Sequence, residues 1–248
     1  MRHAGEQEPF SFDVSGLPAL PELPGLFVTG TDTEVGKTLV AGAIAHCLRQ
    51  AGRRVEVFKP AATGCRRTPA GLVSADAEFL AACADSRRAL DEITPVRYAA
   101  AVAPNVAAQR EHRPVDLEAI FAAYARLEGA ADVVVVEGVG GLLCPLSDEF
   151  WVIHLAKMLR LPLVVVARAG LGTINHTLLT LHAARSAGLA VAGVVINRYR
   201  VDPAAEKALQ AGGPYAHGDD DLATYTNPVQ IVERGRTTLL AIVPEDGE

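Results

Sequence analysis

The apolar positions of this chain fall into short unbroken runs set between stretches with helical spacing. Leu26-Phe27-Val28, Arg53 to Phe58, Asp132-Val133-Val134-Val135-Val136-Glu137, Leu163 to Ala167, Ala190 to Ile196 and Thr238 to Val243 read as strands. Strands that are apolar without alternation are buried on both faces, as in a parallel sheet covered on each side. Between them, residues 37–51, a stretch beginning at Ser74-Ala75-Asp76, and residues 116–128 read as helices. Gly52 stands where a helix C-terminal glycine belongs, and Ser74 where an N-cap belongs. Strands alternating with helices predict right-handed βαβ units in an α/β fold, a mainly parallel β-sheet flanked by helices in three layers. Residues 198–228, with Gly212-Gly213-Pro214 and Asp219-Asp220-Asp221, carry no clear period and read as a surface excursion.

Pro18, Pro21 and Pro24, three residues apart, suggest an extended lead-in. The expected organisation is therefore an N-terminal extension over 1–24 and one domain over 25–248. The lead-in has no apolar run of signal or membrane-span character, and no run elsewhere reaches spanning length. Composition narrows the partners. The 248 residues are half hydrophobic, with a formal net charge of −6. No basic block invites nucleic acid or an anionic membrane. Cys47, Cys65, Cys83 and Cys144 have no C-x-x-C spacing and no histidine cluster. Neither zinc nor a disulfide frame is expected, and a reducing cytoplasm fits best.

The chemistry begins at Gly30-Thr31-Asp32-Thr33-Glu34-Val35-Gly36-Lys37-Thr38. It ends like a phosphate-binding loop, G-x-x-x-x-G-K-[ST], but the first glycine stands one position early, with Thr31 in its place. The segment lies between an expected strand and an expected helix, the context such a loop requires. Backbone N–H groups at the helix start favour an anion, Lys37 would neutralise phosphate charge, and Thr38 offers a hydroxyl to Mg²⁺. Glu137, closing the valine strand ahead of Gly138-Val139-Gly140, suits metal or water coordination near phosphates. Asp76 reads equally as a first-turn helix acid, and Lys59 as a solvent-facing lysine at a strand end.

Taken together, FVTGTDTEVGKT (27–38), KPAATG (59–64), SADA (74–77), VEGVGG (136–141), PLSD (145–148), GLGTINHTLLT (170–180) and VIN (195–197) resemble the dethiobiotin synthetase family. The displaced glycine is characteristic of that family's loop. The resemblance implies a phosphate-loop NTPase-like fold and an ATP- and Mg²⁺-dependent cyclo-ligase. Such an enzyme joins 7,8-diaminononanoate and CO₂ through a carbamate and a carbamic-phosphoric anhydride, releasing dethiobiotin, ADP and phosphate. It also implies roles. Glu34, Val35, Gly36, Lys37, Thr38 and Leu39 would wrap the ATP phosphates, with Gly138, Val139 and Gly140 beside them. Thr38, Asp76 and Glu137 would hold the metal. Lys59, Lys37 and Thr33 would act at the reacting carbamate, and Thr63 would contact substrate.

Gly172, Thr173, Ile174 and Asn175 would bind the substrate's distal carboxylate across a homodimer with a shared active site, although spacing alone favours an ordinary helix N-cap. His176 is left as structural. Asn197 matches an adenine-contacting asparagine, with Arg198, Pro244 and Glu245 as further nucleotide contacts. Three readings compete, one of them a non-catalytic nucleotide-binding relic, against which Lys37, Thr38, Lys59, Asp76 and Glu137 together argue. Switch ATPases of the partitioning or metal-insertion kind carry K-G-G-V-G-K-T, where this chain has Asp32 at the extra lysine. An amidotransferring synthetase would add a glutaminase domain.

Overall fold

The computed structural model describes residues 17–210 and 219–245. Strand β1 (Gly25–Gly30) runs through the loop 31–36 into α1 (Lys37–Gln50). Strand β2 (Val55–Phe58) is followed by a short β3 (Ala61–Ala62) and the hairpin β4 (Arg66–Thr68) and β5 (Gly71–Val73). Next come α2 (Ala75–Ala84), α3 (Leu90–Ile93), β6 (Val96–Arg97), α4 (Pro104–Arg110) and α5 (Leu117–Ala125). The long β7 (Val133–Gly141) leads to α6 (Val152–Leu159), β8 (Leu163–Arg168), α7 (Thr173–Ser186) and β9 (Val191–Tyr199). Helices α8 (Pro203–Gln210) and α9 (Asp219–Gly235) precede β10 (Leu239–Pro244).

Six strands form one sheet in the order β10-β9-β8-β1-β7-β2, parallel throughout. The chain leaves β1 towards β2, returns through β7, and passes β1 on its other side with β8. That reversal opens a crevice beyond the carboxyl ends of the central strands, where ligands bind in open α/β sheets. The apolar runs explain the layers. Val28, Val57, Val135, Val164, Val166 and Val195 point to one face and pack with residues of α1, α2 and α3. Phe27, Phe58, Val134, Val136 and Leu163 point to the other and meet α4, α5, α6 and α7. Val165, Ala167, Val194 and Ile196 continue that second face under Leu181 of α7 and Ile231 of α9. The result is the three-layer α/β/α arrangement expected from the sequence.

Local signals held where they were strong. Ser74 accepts a hydrogen bond from the Ala77 N–H as the N-cap of α2. Gly52 takes a left-handed φ of 80° after α1. The Gly52 N–H bonds to the Arg49 carbonyl and the Arg53 N–H to the Leu48 carbonyl, a Schellman ending. The excursion over 198–228 is the exception: its described part is mostly helix. Thr224, Thr226, Asn227 and Pro228 are poor helix formers, so α9 is invisible to propensity. Tertiary contacts overrule it. Ile231 is buried against α7 and the sheet, and the Asn227 amide donates to the Ala169 carbonyl at 2.7 Å. Gly212-Gly213-Pro214 lies outside the described residues, as do positions 1–16 of the N-terminal extension. The rest of that extension packs down: Leu17, Leu20 and Leu23 lie against the core of the second face, and the Pro24 carbonyl accepts from the Val134 N–H.

Candidate active site

The strand ends build the site. β1 delivers the loop 31–36, in which Glu34 and Gly36 adopt left-handed φ values of 58° and 92°. Gly36 is the N-cap of α1, with no side-chain cap and no acid in the first turn. The first N–H groups of α1 are therefore free for an anion. β2 delivers Lys59, whose backbone N–H is tied to the Ile93 carbonyl at 2.9 Å. β7 delivers Glu137, and α2 presents Asp76 in its first turn.

These side chains converge. The Lys59 ammonium lies 2.7 Å from Glu137 Oε1 and 2.8 Å from Asp76 Oδ2. The Thr38 hydroxyl donates to Glu137 Oε1 at 2.8 Å. Lys59 is 3 % exposed, so it is no strand-edge lysine in water. Burial opposes its charge, but Glu137 and Asp76 outweigh burial and hold its pKa above the usual lysine value. Lys37 differs: burial, aided by the nearby Lys59 charge, pulls its pKa below that value despite Glu137 and Asp76. Its ammonium donates to the Asp32 carbonyl at 3.1 Å.

Glu137 Oε2 is buried without a hydrogen-bond partner. An orphaned carboxylate oxygen beside a threonine hydroxyl and a second carboxylate is a hard-oxygen donor set, which fits magnesium. Among the described residues there is no cluster of three or more His, Cys, Asp or Glu that would hold a metal without help from water or phosphate.

A cavity of about 690 Å³ opens over this cluster. It is lined by Thr33, Glu34, Gly36, Lys37, Thr38, Lys59, Thr63, Asp76, Glu137, Val139, Gly140 and Arg198. Twelve residues named from the sequence therefore share one wall system. Val35 is buried beneath the loop, Leu39 points outward on α1, and Gly138 lies over the Phe27 ring. Asn197 is buried, with its amide on the Val35 carbonyl at 2.9 Å. Pro244 ends β10 and Glu245 follows it, outside the cavity, with the Glu245 N–H on the Tyr199 carbonyl. Gly172, Thr173, Ile174 and Asn175 begin α7, also outside it. A second hollow of about 330 Å³ adjoins the first through Thr33, Gly140 and Cys144, and His176, Leu179 and Thr180 of α7 form its other side.

The segment Ala101–Pro104 and Cys144 also line the main cavity and were missed. Small apolar residues in a loop give no chemical signal. Burial holds the Cys144 thiol pKa up, so it is no ready nucleophile. None of the described helices is long and apolar enough to cross a membrane.

Comparison with known proteins adds the following. A family model described as an AAA domain matches residues 24–248. The chain is 48 % identical over 174 residues to the ATP-dependent dethiobiotin synthetase BioD of Anaeromyxobacter dehalogenans, covering 70 % of this chain and 76 % of that one. It is 41 % identical over 220 residues to the protein of the same name from Anaeromyxobacter sp. strain K, covering 89 % of each. With the same-named protein of Bacillus subtilis strain 168 it shares 40 % identity over 173 residues, 70 % of this chain and 74 % of that one. Among solved structures, the MinC:MinD cell division protein complex of Aquifex aeolicus superposes with a TM-score of 0.51 at 13 % identity, covering 90 % of this chain and 82 % of that one. At that identity the likeness is one of fold.

Proposed function

The chain belongs to the ATP-dependent dethiobiotin synthetase family, and on that premise we propose how its cavity closes the ureido ring of dethiobiotin. It is an ATP-dependent ligase. One amine of 7,8-diaminononanoate takes up CO₂ as a carbamate, losing a proton. A carbamate oxygen attacks the γ-phosphorus of ATP, and the bond to the bridging oxygen breaks to release ADP. The second amine then attacks the carbamoyl carbon of the mixed anhydride. The C–O bond to phosphate breaks, a proton leaves the amine, and the five-membered ring closes.

The supporting observation is the pair of buried lysines in one cavity, one of them held between two carboxylates. Loop N–H groups from Glu34 to Thr38, with Lys37, cradle the triphosphate. Lys59 stabilises charge on the carbamate and on the phosphoryl group passing to it, because preorganised cations act most strongly where water is excluded. Thr33 and Thr63 face the diamine. Thr38, Asp76 and Glu137 would hold Mg²⁺, which when bound supplies Lewis-acid neutralisation of phosphate oxygens. Arg198, Pro244 and Glu245, at the carboxyl ends of β9 and β10, form the nucleoside side. The start of α7 receives the substrate's distal carboxylate in the partner subunit's cavity, so the working unit is a homodimer.

Purified protein with the diamine, bicarbonate, ATP and magnesium should yield dethiobiotin by mass spectrometry, together with stoichiometric ADP. Absence of product above background overturns the assignment.

A further inference from the structure

A third hollow, of about 490 Å³, runs along α4 and shares no lining residue with the two already described. Asn105, Ala108 and Gln109 line it at i, i+3 and i+4, the spacing of one helix face. His112 and Arg113, just past the helix, continue that wall, and Leu146 and Asp148 bound the hollow from the segment after β7. Pro104, the residue before Asn105, belongs to the wall of the main cavity instead.

The polar groups fall near the two ends of α4. Asn105 stands in its first turn, with Oδ1 buried and without a hydrogen-bond partner. Among the described residues nothing bonds to its amide nitrogen either. The amide is therefore free to turn its donor or its acceptor towards a ligand. A buried polar atom without a partner costs stability and is uncommon in a folded chain. At the other end, His112 takes a left-handed φ of 49°, and the Arg113 N–H bonds back to the Ala108 carbonyl at 3.0 Å. The Arg113 guanidinium lies 4.4 Å from the centroid of the Tyr98 ring and donates to the Arg97 carbonyl. This cation is held in place before any ligand arrives. Its acidic neighbour Glu111, 3.9 Å away, accepts the Ala100 N–H. From Asn105 to His112 the rise is about 10 Å along a helix axis, and Ala108, Val115 and Leu146 supply apolar lining.

We infer that this hollow is a second ligand site, for a small aliphatic carboxylate with a ureido ring at its far end, the chemical class of dethiobiotin. The carboxylate takes Arg113, the arm lies on Ala108, Val115 and Leu146, and the ring pairs with Asn105 and Asp148. A ureido group offers N–H donors and one carbonyl acceptor, which suit a carboxylate and an amide free to turn. A plain fatty carboxylate meets Asp148 only as a like charge. The inference rests on the reading that this chain makes dethiobiotin.

The test is a calorimetric titration of the full chain with dethiobiotin. Gln109 is exposed, so Gln109→Trp fills the hollow without entering the core. A saturable class of binding is expected that Gln109→Trp abolishes and Asn105→Ala weakens about tenfold. Lys59→Ala, in the reaction cavity, should leave that class unchanged, and both hollow variants should turn over like the wild type. Hexanoate and ethyleneurea, the arm and the ring alone, should each bind about tenfold more weakly or worse, because each leaves one end of the hollow unpaired. The thermal midpoint of Asn105→Ala should hold or rise, since it removes an orphaned oxygen. A lowered midpoint with binding intact makes Asn105 a structural residue and overturns the inference. Binding that survives Gln109→Trp, or hexanoate as tight as dethiobiotin, overturns it too. A chain that forms dethiobiotin but binds it only in a class lost with Lys59→Ala overturns this inference alone. A chain that binds dethiobiotin in the hollow without making it overturns the function reading and supports the site.

Discussion

Two helices of this chain begin alike and end up in opposite surroundings. α1 and α7 each run for 14 residues after a parallel strand. Each is capped by a glycine with φ near 90°, Gly36 and Gly172, and each lacks a side-chain cap and a first-turn acid. By backbone alone both N-termini are ready for an anion. Around α1, however, the fold gathers Lys37, Lys59, Glu137 and Asp76 into a walled cavity. Around α7 the start is open: Leu171 is 74 % exposed, and the only side-chain bond to the loop carbonyls there from a cation is that of Arg168 to Leu171, among the described residues. The difference teaches that a helix start becomes a reaction site only when buried charges surround it. The start of α7 has no such walls of its own among the described residues, and a second copy of the chain is the proposed source of them.

The comparison breaks most visibly at Lys59. Lys59→Ala should lower turnover by about 10²–10³-fold, while ATP affinity in a calorimetric titration changes only a few-fold. An equal loss in both would make the buried lysine a nucleotide clamp and erase its distinction from Lys37. A smaller effect is expected at the open helix. Leu171→Asp, an exposed change, should raise KM for the diamine about tenfold through like-charge repulsion and leave KM for ATP unchanged. Sedimentation of the wild type as a strict monomer at assay concentration would remove the shared-site explanation.

The smallest effect is in pH. Only the α1 site relies on a titrating clamp. The Lys37 pKa is lowered, so tripolyphosphate affinity should weaken by a few-fold as pH climbs through a value below 10.5. Lys37→Arg should move that alkaline limb upward. Folding linkage at Lys59 has its own window. Its folded pKa is raised, so its contribution is complete below 10.5 and is lost as pH rises through the folded value. A stability profile that begins to fall at neutral pH would contradict that sign.

The legibility of the molecule follows the range of the forces involved. The valine run 133–136 announced a buried parallel strand because both of its faces meet helices, and Ser74 announced a helix because an N-cap bond spans three residues. Such signals are local. Lys59 and Asp76 stayed ambiguous as sequence because their meaning is a 2.8 Å contact between β2 and α2. The resemblance named them, and the structure brings the two side chains together. Helix α9 was illegible for the converse reason: Thr224 to Pro228 speak against a helix, and only packing on α7 and the sheet speaks for it. No pattern within a window connects Asn197 with Val35, so the amide beneath the loop could not be read from either neighbourhood.

The stretch ahead of β1 has a practical consequence. The match to the AAA-domain family model begins at residue 24, yet Leu17, Leu20 and Leu23 already rest on the core, and Glu22 pairs with Arg160. A boundary drawn from shared sequence marks where relatives agree, which is a different place from where this chain starts to pack. Cutting there for expression, or splicing a foreign leader onto Gly25, would strip a strap of leucines from the face that carries Phe27 and Val134 and leave that face wet.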